Sequence, residues 1–164
     1  MILKLKKNTM YIDQFKLKCA VGKGGIKKKV KEGDKITPKG LYKIGSLFYR
    51  SDRINTFRTK LKTIIIKKDM GWCDDSGSNK YNRLVKLNKH NKYSFEKLYR
   101  KDKKYDLFIV IKYNYFKPKK NKGSAIFIHL TKNYKPTAGC IALKKKDFMV
   151  LLNLIDNKTK IKII

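Results

Sequence analysis

The chain has 164 residues and is poor in acidic residues, cysteine, proline and histidine. It carries 12 aspartates and glutamates against 43 lysines and arginines, which gives a formal net charge of +31. No apolar run approaches the ~20 residues that a helical membrane span needs, so we expect no integral membrane segment. Apolar residues still make up 41% of the chain, which argues against disorder. The length predicts one domain that spans residues 1–164.

Cysteine is too scattered for a metal site or a set of disulfides. Cys19, Cys73 and Cys140 lie far apart in the sequence, and no C-x-x-C pair occurs. This spacing argues against zinc, and an odd cysteine count without a secretion signal argues against a disulfide framework. Each cysteine is therefore either a buried thiol or a reactive one, and we expect no metal site.

Arginine is rare among the cations, which argues against nucleic acid as the partner. Base readout and bidentate phosphate contacts favour arginine, and no zinc-finger or RNP-like pattern occurs. Lysine, isoleucine, asparagine and tyrosine are abundant and share A/T-rich codons, so the charge is typical of a compositionally biased, solvated surface. Attraction to an anionic polymer or membrane surface at low salt is the alternative. The five arginines are Arg50, Arg53, Arg58, Arg83 and Arg100.

The first residues are basic, but no apolar h-region of a signal peptide follows them. Lys16, Lys18 and Lys23 interrupt every candidate. The sequence as written therefore predicts a cytoplasmic protein, and a periplasmic or cell-envelope location would require a mis-assigned start codon.

Short apolar runs separated by turn residues predict a mainly β (α+β) domain with one or two helices. We expect a short helix over residues 94–99, capped by Ser94, and a second helix capped by Asp147. The second helix has an apolar stripe at i, i+3, i+4 and i+7. The stripe consists of Phe148, Leu151, Leu152 and Ile155. The clearest strand candidates are residues 41–48, 61–66, 107–111, 124–130 and 161–164.

One cysteine and one histidine form a candidate catalytic pair. His129 ends a strand candidate, and Cys140 follows Gly139 after a short loop. A cysteine nucleophile needs a base beside it, and we expect the imidazole to ionise the sulfur so that it reacts below the ordinary thiol pKa. The N–H groups of Gly139 and Cys140 are candidate oxyanion donors. The alternative is a buried cysteine and a strand-end histidine without chemistry. The other histidine, His90, lies in a polar run and is predicted to be a surface residue.

These residues carry a resemblance to a known family. Ile126-Phe127-Ile128-His129 followed by Thr137-Ala138-Gly139-Cys140-Ile141 is similar to a pattern of a His, a spacer and then Ser/Thr-His-Gly-Cys. That pattern is typical of the L,D-transpeptidase catalytic domain, also called YkuD or ErfK, of bacterial cell-wall enzymes. The resemblance implies a mixed β-sandwich or barrel. Further matches are Gly33 with Thr37-Pro38-Lys39-Gly40-Leu41-Tyr42, Gly71-Trp72-Cys73-Asp74-Asp75 with Tyr81-Asn82-Arg83, and Leu98-Tyr99-Arg100 with Tyr105-Asp106-Leu107.

Two positions depart from the family pattern. Ala138 stands where the family has its second His, and Ala142 stands where an Arg or Asn is common. The nucleophile is unaffected, but both changes remove groups that would line a donor or acceptor subsite. The choice of second substrate stays open.

The resemblance implies a reaction and its residues. Cys140 attacks a peptidoglycan stem tetrapeptide before its terminal D-Ala, and His129 takes the thiol proton and passes it to the leaving amine. The carbonyl of Leu130 orients the imidazole, while Thr137 stabilises the loop and belongs to the substrate site. No organic cofactor is required. If an amine of a second stem attacks the thioester, the enzyme is a transpeptidase. If water attacks it, the enzyme is an L,D-carboxypeptidase that acts on muropeptides during recycling. A non-catalytic basic binding protein is the alternative of another class.

Three more residues are candidates for substrate binding, each with a structural alternative. Arg83 either grips a substrate carboxylate or forms an ion pair with Asp74 or Asp75. Trp72 and Tyr81 either wall the cleft or belong to the core. The remaining two cysteines are predicted to be buried.

Overall fold

The computed structural model describes residues 1–164 and contains fourteen strands and one helix. In chain order they are β1 (Ile2–Lys6), β2 (Thr9–Ile12), β3 (Phe15–Ala20), β4 (Ile26–Lys27), β5 (Thr37–Pro38), β6 (Gly40–Tyr49), β7 (Thr63–Ile65), β8 (Met70–Cys73), β9 (Leu84–Lys86), β10 (Phe95–Lys97), β11 (Leu107–Ile111), β12 (Phe127–Leu130), β13 (Ile141–Leu143), α1 (Lys145–Leu154) and β14 (Lys160–Ile163).

Eight strands close into a barrel. Their order is β11-β12-β13-β3-β2-β1-β14-β6, and β6 pairs back onto β11 to complete the ring. The ten-residue β6 makes both connections, because its first half pairs with β14 and its second half with β11. Most pairs are antiparallel, but β1 with β14 and β12 with β13 are parallel. The mainly β architecture expected from the sequence is confirmed.

Alternation of apolar residues and lysines shapes one side of the barrel. Leu3 and Leu5 on β1 and Ile161 and Ile163 on β14 are completely buried, and the residues between them are exposed. Successive side chains of a strand point to opposite faces, so this pattern directs the apolar residues inward and the lysines to solvent. The high lysine content is therefore compatible with an ordinary apolar core.

The strands on the other side are buried on both faces. Every residue of β11, β12 and β13 is buried. Ile109 and Ile128 belong to the barrel core, whereas Phe108 and Phe127 pack outside it against Trp72 and its neighbours. Trp72 lies on β8, in a small antiparallel sheet of β8, β9 and β10. This second layer explains why these strands show continuous apolar runs rather than alternation.

One predicted helix forms and the other does not. The predicted apolar stripe is confirmed: Phe148, Leu151 and Leu152 of α1 are buried in the barrel core, as is Ile155 directly after the helix. Asp147 lies in the first turn rather than at the cap, and Lys144 precedes the helix. The helix expected over 94–99 is wrong, because that segment contains β10, which pairs with β8. Six residues are too few for a helix that tertiary contacts do not support. No helix is long and apolar enough to cross a membrane.

Candidate active site

The parallel pair β12–β13 brings His129 and Cys140 to one face of the barrel. His129 on β12 is in register with Ala142 on β13, and Cys140 precedes β13 by one residue. Because side chains alternate, Cys140 projects to the same face as Ala142 and therefore to the face of His129. From the strand spacing and rise, their Cα atoms are about 8 Å apart on the diagonal. We call residues 123–130 and 137–143 the cysteine wall.

The cysteine wall borders an open cleft of about 1520 Å³, which both His129 and Cys140 line. The opposite sides come from distant parts of the chain, including residues 29–33, 95–97 and 100–106. The site is thus assembled by the fold and not by any one segment.

The backbone fixes the orientation of His129. Its Nδ1 lies 2.9 Å from the carbonyl oxygen of Leu130. A carbonyl only accepts hydrogen bonds, so Nδ1 carries the proton and Nε2 keeps its lone pair. Burial lowers the pKa of His129 to about 4, the bond to Leu130 opposes this effect, and the charge of Lys104 adds to it. At neutral pH the ring is an uncharged base.

The thiol of Cys140 is held in its protonated form. Its S–H donates to the carbonyl of Ala125 at 3.2 Å, and the N–H of Phe127 donates to the sulfur at 3.4 Å. Burial raises the pKa of Cys140 to about 12, Glu96 acts in the same direction, and the Phe127 N–H and Lys29 oppose both. The expectation of a resting thiolate is therefore wrong, because burial favours the neutral thiol beside a neutral imidazole.

The loop before Cys140 is pinned by two threonines. The hydroxyl of Thr137 donates to the carbonyl of Cys140 at 2.6 Å and accepts from the N–H of Gly139 at 3.1 Å. The hydroxyl of Thr37 donates to the carbonyl of Gly139 at 2.8 Å. The N–H of Gly139 is therefore engaged, whereas that of Cys140 makes no hydrogen bond within the chain. Only one of the two expected oxyanion donors is free.

Gly139 is a position where the fold demands glycine. Its φ is +140°, and a Cβ there would lie 3.0 Å from the carbonyl oxygen of Ile36. A side chain would push apart the Ile36 backbone and the loop that carries Cys140.

A protein-family model, described as the L,D-transpeptidase catalytic domain (YkuD), matches residues 2–163. The chain belongs to this family. The family consists of cysteine-dependent enzymes that act on peptidoglycan. The family assigned from the sequence motifs is thereby confirmed. No curated protein matches the sequence significantly.

Two solved structures are similar over 99% of the chain. One is Bd1075 of Bdellovibrio bacteriovorus, at 14% identity and a TM-score of 0.50, of which 47% is covered. The other is an L,D-transpeptidase from Mycobacterium smegmatis, at 9% identity and a TM-score of 0.46, of which 58% is covered. The chain therefore spans about half the length of these proteins.

Within this L,D-transpeptidase domain, Asn82 is a supporting residue that sequence reasoning missed. Its Oδ1 accepts from the Trp72 indole N–H at 2.8 Å and from the Ala125 N–H at 3.1 Å. Its Nδ2 donates to the carbonyls of Tyr113 and Asn114. Ala125 has a φ of +51°, unusual for alanine, and its carbonyl holds the Cys140 thiol. Asn82 lies in one of the family-like stretches, but one sequence does not reveal its partners.

Trp72 and Tyr81 are core residues and do not line the cleft. Trp72 is 2% exposed and packs edge-on against Phe127, with ring centroids 5.2 Å apart. The hydroxyl of Tyr81 accepts from the Gly123 N–H at 2.9 Å and donates to Glu32. Of the two alternatives, burial in the core describes them, and they support the cysteine wall from behind.

Arg83 points away from the cleft. Its guanidinium donates to the carbonyls of Tyr115 and Phe116, and it forms no ion pair with Asp74 or Asp75. The structure therefore supports neither the carboxylate grip nor the ion pair, because the guanidinium is taken up by the backbone carbonyls of residues 115 and 116.

Tyr105 and Glu96 are further cleft residues to which the sequence assigned no role. The Tyr105 ring is 5% exposed and packs against His129, with ring centroids 5.5 Å apart. Its hydroxyl donates to the carboxylate of Glu96, and burial raises the pKa of Tyr105. Tyr105 therefore limits the positions open to the imidazole. No group of His, Cys, Asp or Glu is arranged to hold a metal ion.

Proposed function

We propose that this domain is a cysteine acyltransferase of the L,D-transpeptidase type that acts on peptidoglycan stem tetrapeptides or muropeptides. The observation that carries the proposal is the placement of Cys140 and His129 on one face of adjacent parallel strands in a large cleft. The bond from His129 to Leu130 supports it, because this bond leaves Nε2 as the basic nitrogen.

Acylation starts from the neutral pair. The thiol of Cys140 turns away from the Ala125 carbonyl, and its proton passes to Nε2 of His129 as the sulfur attacks the carbonyl carbon before the terminal D-Ala. The free N–H of Cys140 stabilises the oxyanion. The C–N bond then breaks, His129 returns the proton to the leaving amine, and D-Ala departs from a thioester on Cys140.

A neutral start suits a buried site. A thiolate–imidazolium pair would place two charges in a poorly solvated environment, which costs more free energy than a proton transfer made during attack. The Cys140 thiol therefore loses its proton only when substrate is bound, and the free enzyme contains no thiolate–imidazolium pair.

Deacylation decides between two products. When an amine of a second stem attacks, the C–S bond breaks, an amide forms, and His129 takes the amine proton and returns it to the sulfur. When water attacks, the product is a carboxylate and the enzyme is an L,D-carboxypeptidase. The cleft exceeds the range of about 300–1000 Å³ that is usual for a single small ligand. Room for two peptides favours transfer.

The charge of the cleft does not favour a non-catalytic anion-binding role. Its 31 lining residues include ten lysines and arginines and five acids, so the cleft has an excess of five positive charges. The whole chain has an excess of 31 over 164 residues, a slightly higher density. The cleft is not a cationic hot spot on this surface.

Incubation with a disaccharide-tetrapeptide, followed by mass spectrometry, tests the proposal. A cross-linked dimer with free D-Ala indicates transfer, and a tripeptide with free D-Ala indicates hydrolysis. Cys140→Ala is expected to abolish both products. Cys19→Ala is the matched control, because Cys19 is a buried thiol of the barrel core and its loss leaves activity per folded molecule unchanged. An unchanged substrate with the wild-type protein, as with Cys140→Ala, would overturn the proposal.

A further inference from the structure

Ser124 carries the only buried side-chain polar atom of the protein that has no hydrogen-bond partner. The residue is 6% exposed, and its Oγ makes no bond to any neighbour. An unpaired buried hydroxyl is costly, so a partner is expected to arrive from outside. Ser124 lines the cleft and directly precedes Ala125, whose carbonyl oxygen lies 3.2 Å from the sulfur of Cys140.

Lys29 lies in the same part of the cleft with one N–H to spare. Its side chain is 2% exposed, and its Nζ donates to Asp34 at 2.5 Å and to the carbonyl of Ile36 at 3.4 Å. An ammonium has three N–H donors, so the third has no partner. A Cβ on Gly123 would lie 2.2 Å from Cε of Lys29, so the lysine stem passes directly over the residue before Ser124.

Asp34 holds Lys29 in place without offering an acceptor of its own to the cleft. Its two oxygens accept from Lys29 and from the N–H groups of Val30, Lys31 and Ile36. Although desolvation opposes them, these bonds lower the pKa of Asp34 to about 2. Glu32 lines the cleft as well, where the Tyr81 hydroxyl donates to its carboxylate.

We propose that Lys29 and Ser124 form a carboxylate-binding subsite beside Cys140, which takes the free α-carboxylate at the end of the acyl-donor peptide. Two unused donors, one of them charged, match a carboxylate oxygen pair. The naming of the donor rests on the proposed function. In that reaction the nitrogen of the leaving residue is bonded to the carbon that the sulfur attacks, so the carboxylate of that residue lies close to Cys140. Ser124 lies at a similar place, because it directly precedes Ala125, whose carbonyl contacts the sulfur.

The subsite predicts that the enzyme selects acyl-donor peptides by the group at their C-terminus. Peptides that end in a free carboxylate fill both donors, whereas a terminal amide offers only one oxygen and no charge. The enzyme is thus expected to remove a terminal residue and to disfavour capped or longer peptides.

Alkylation of Cys140 tests the subsite without peptide turnover. Iodoacetate carries a carboxylate next to its reactive carbon, and iodoacetamide is its neutral counterpart. We expect the iodoacetate-to-iodoacetamide rate ratio at Cys140 of the folded chain to be about tenfold above that of the same cysteine in the urea-unfolded chain, measured by peptide mass spectrometry. Ser124→Ala is expected to remove most of this difference. The substitution leaves the net charge unchanged, so long-range attraction does not contribute.

Thr131→Ala is the matched control, because it removes a cleft hydroxyl that already accepts a hydrogen bond from Tyr134. The ratio should stay at the wild-type value. Lys29→Met should lower the ratio as Ser124→Ala does, and circular dichroism shows whether it folds. An unchanged ratio in a folded Ser124→Ala protein would overturn the subsite.

Turnover of the tetrapeptide and of its C-terminal amide separates this proposal from the proposed function. The wild type should have at least a tenfold higher kcat/KM for the free acid, and Ser124→Ala should narrow this preference. Equal rates for acid and amide would overturn the subsite and leave the acyltransferase proposal intact. If neither peptide is turned over but Ser124→Ala still lowers the iodoacetate-to-iodoacetamide ratio, the acyltransferase proposal would be overturned and the subsite would stand.

Discussion

The barrel side formed by β1 and β14, here the lysine wall, and the cysteine wall are built in opposite ways. In the lysine wall, buried leucines and isoleucines alternate with exposed residues, and neighbouring strands need only their ladder hydrogen bonds. In the cysteine wall, every strand residue is buried, and polar side chains from distant segments hold the backbone in place. The first wall stabilises the fold, and the second holds the candidate nucleophile and base in place.

The difference lies in where polar groups are satisfied. Lysines of the lysine wall face water and need no partner in the protein. Around Cys140, Asn82 and Thr37 reach across 43 and 102 positions of sequence to hold Ala125 and Gly139. Such long-range bonds fix a backbone that local preferences would not choose, including the positive φ of Ala125.

Of the substitutions that test the difference between the two walls, one at His129 in the cysteine wall is expected to have the largest effect, and that effect is on catalysis. His129→Asn removes the proposed base and should reduce D-Ala release from the tetrapeptide by about 10²–10⁴-fold. The asparagine amide can still donate to the Leu130 carbonyl, so the thermal midpoint should change little above pH 7. Retention of more than a tenth of wild-type activity would show that another group takes the thiol proton.

Paired substitutions in the two walls sharpen the comparison. Asn82→Ala leaves the Trp72 and Ala125 N–H groups without acceptors and should lower the free energy of unfolding by about 2–5 kcal/mol. Leu5→Ala, which opens a cavity in the lysine wall, should cost a similar 2–5 kcal/mol. Urea unfolding measures both. Only Asn82→Ala is expected to alter the alkylation rate of Cys140 per folded molecule, and equal rates in both variants would contradict the role of Asn82.

Stability should depend on pH through His129. Burial lowers its folded pKa to about 4, below the ordinary value of 6.5, so the unfolded chain binds more protons between these values. As far as His129 is concerned, the free energy of unfolding should be highest above pH 6.5 and should fall by roughly 3 kcal/mol as the pH drops to 4. Denaturant titration of wild type and His129→Asn across this range measures it. His129→Asn should not show this loss of stability at low pH. Identical pH profiles for the two proteins would mean that another group causes the loss.

The smallest effect is expected from the charges themselves. Lys4→Gln on the exposed face of β1 should change the free energy of unfolding by less than about 0.5 kcal/mol, because the side chain has no fixed partner. Activity should also be unchanged. A loss of several-fold in activity would indicate that the surface charge takes part in substrate capture, and measurement at two salt concentrations would reveal it.

Sequence reasoning succeeded where the signal was local. The helix stripe from Phe148 to Ile155 and the strand at 107–111 were readable from spacing, and the family was readable from its motifs. The catalytic roles of His129 and Cys140 stay predictions. Sequence reasoning failed for residues 94–99, where pairing with β8 overrode the helix signal, and for Arg83, whose partners are the backbone carbonyls of residues 115 and 116. The roles of Asn82 and Ser124 required knowledge of which segments the barrel brings together.

The amino-acid sequence by itself determined the family, the β-rich core and the identity of the candidate nucleophile and base, because these depend on residue type and short-range spacing. Only the tertiary structure decided that the thiol and imidazole are neutral, that Gly139 has lost its N–H to Thr137, and that Lys29 and Ser124 have donors to spare. The reason is physical: protonation and hydrogen-bond occupancy depend on burial and on neighbours that lie far away in the chain.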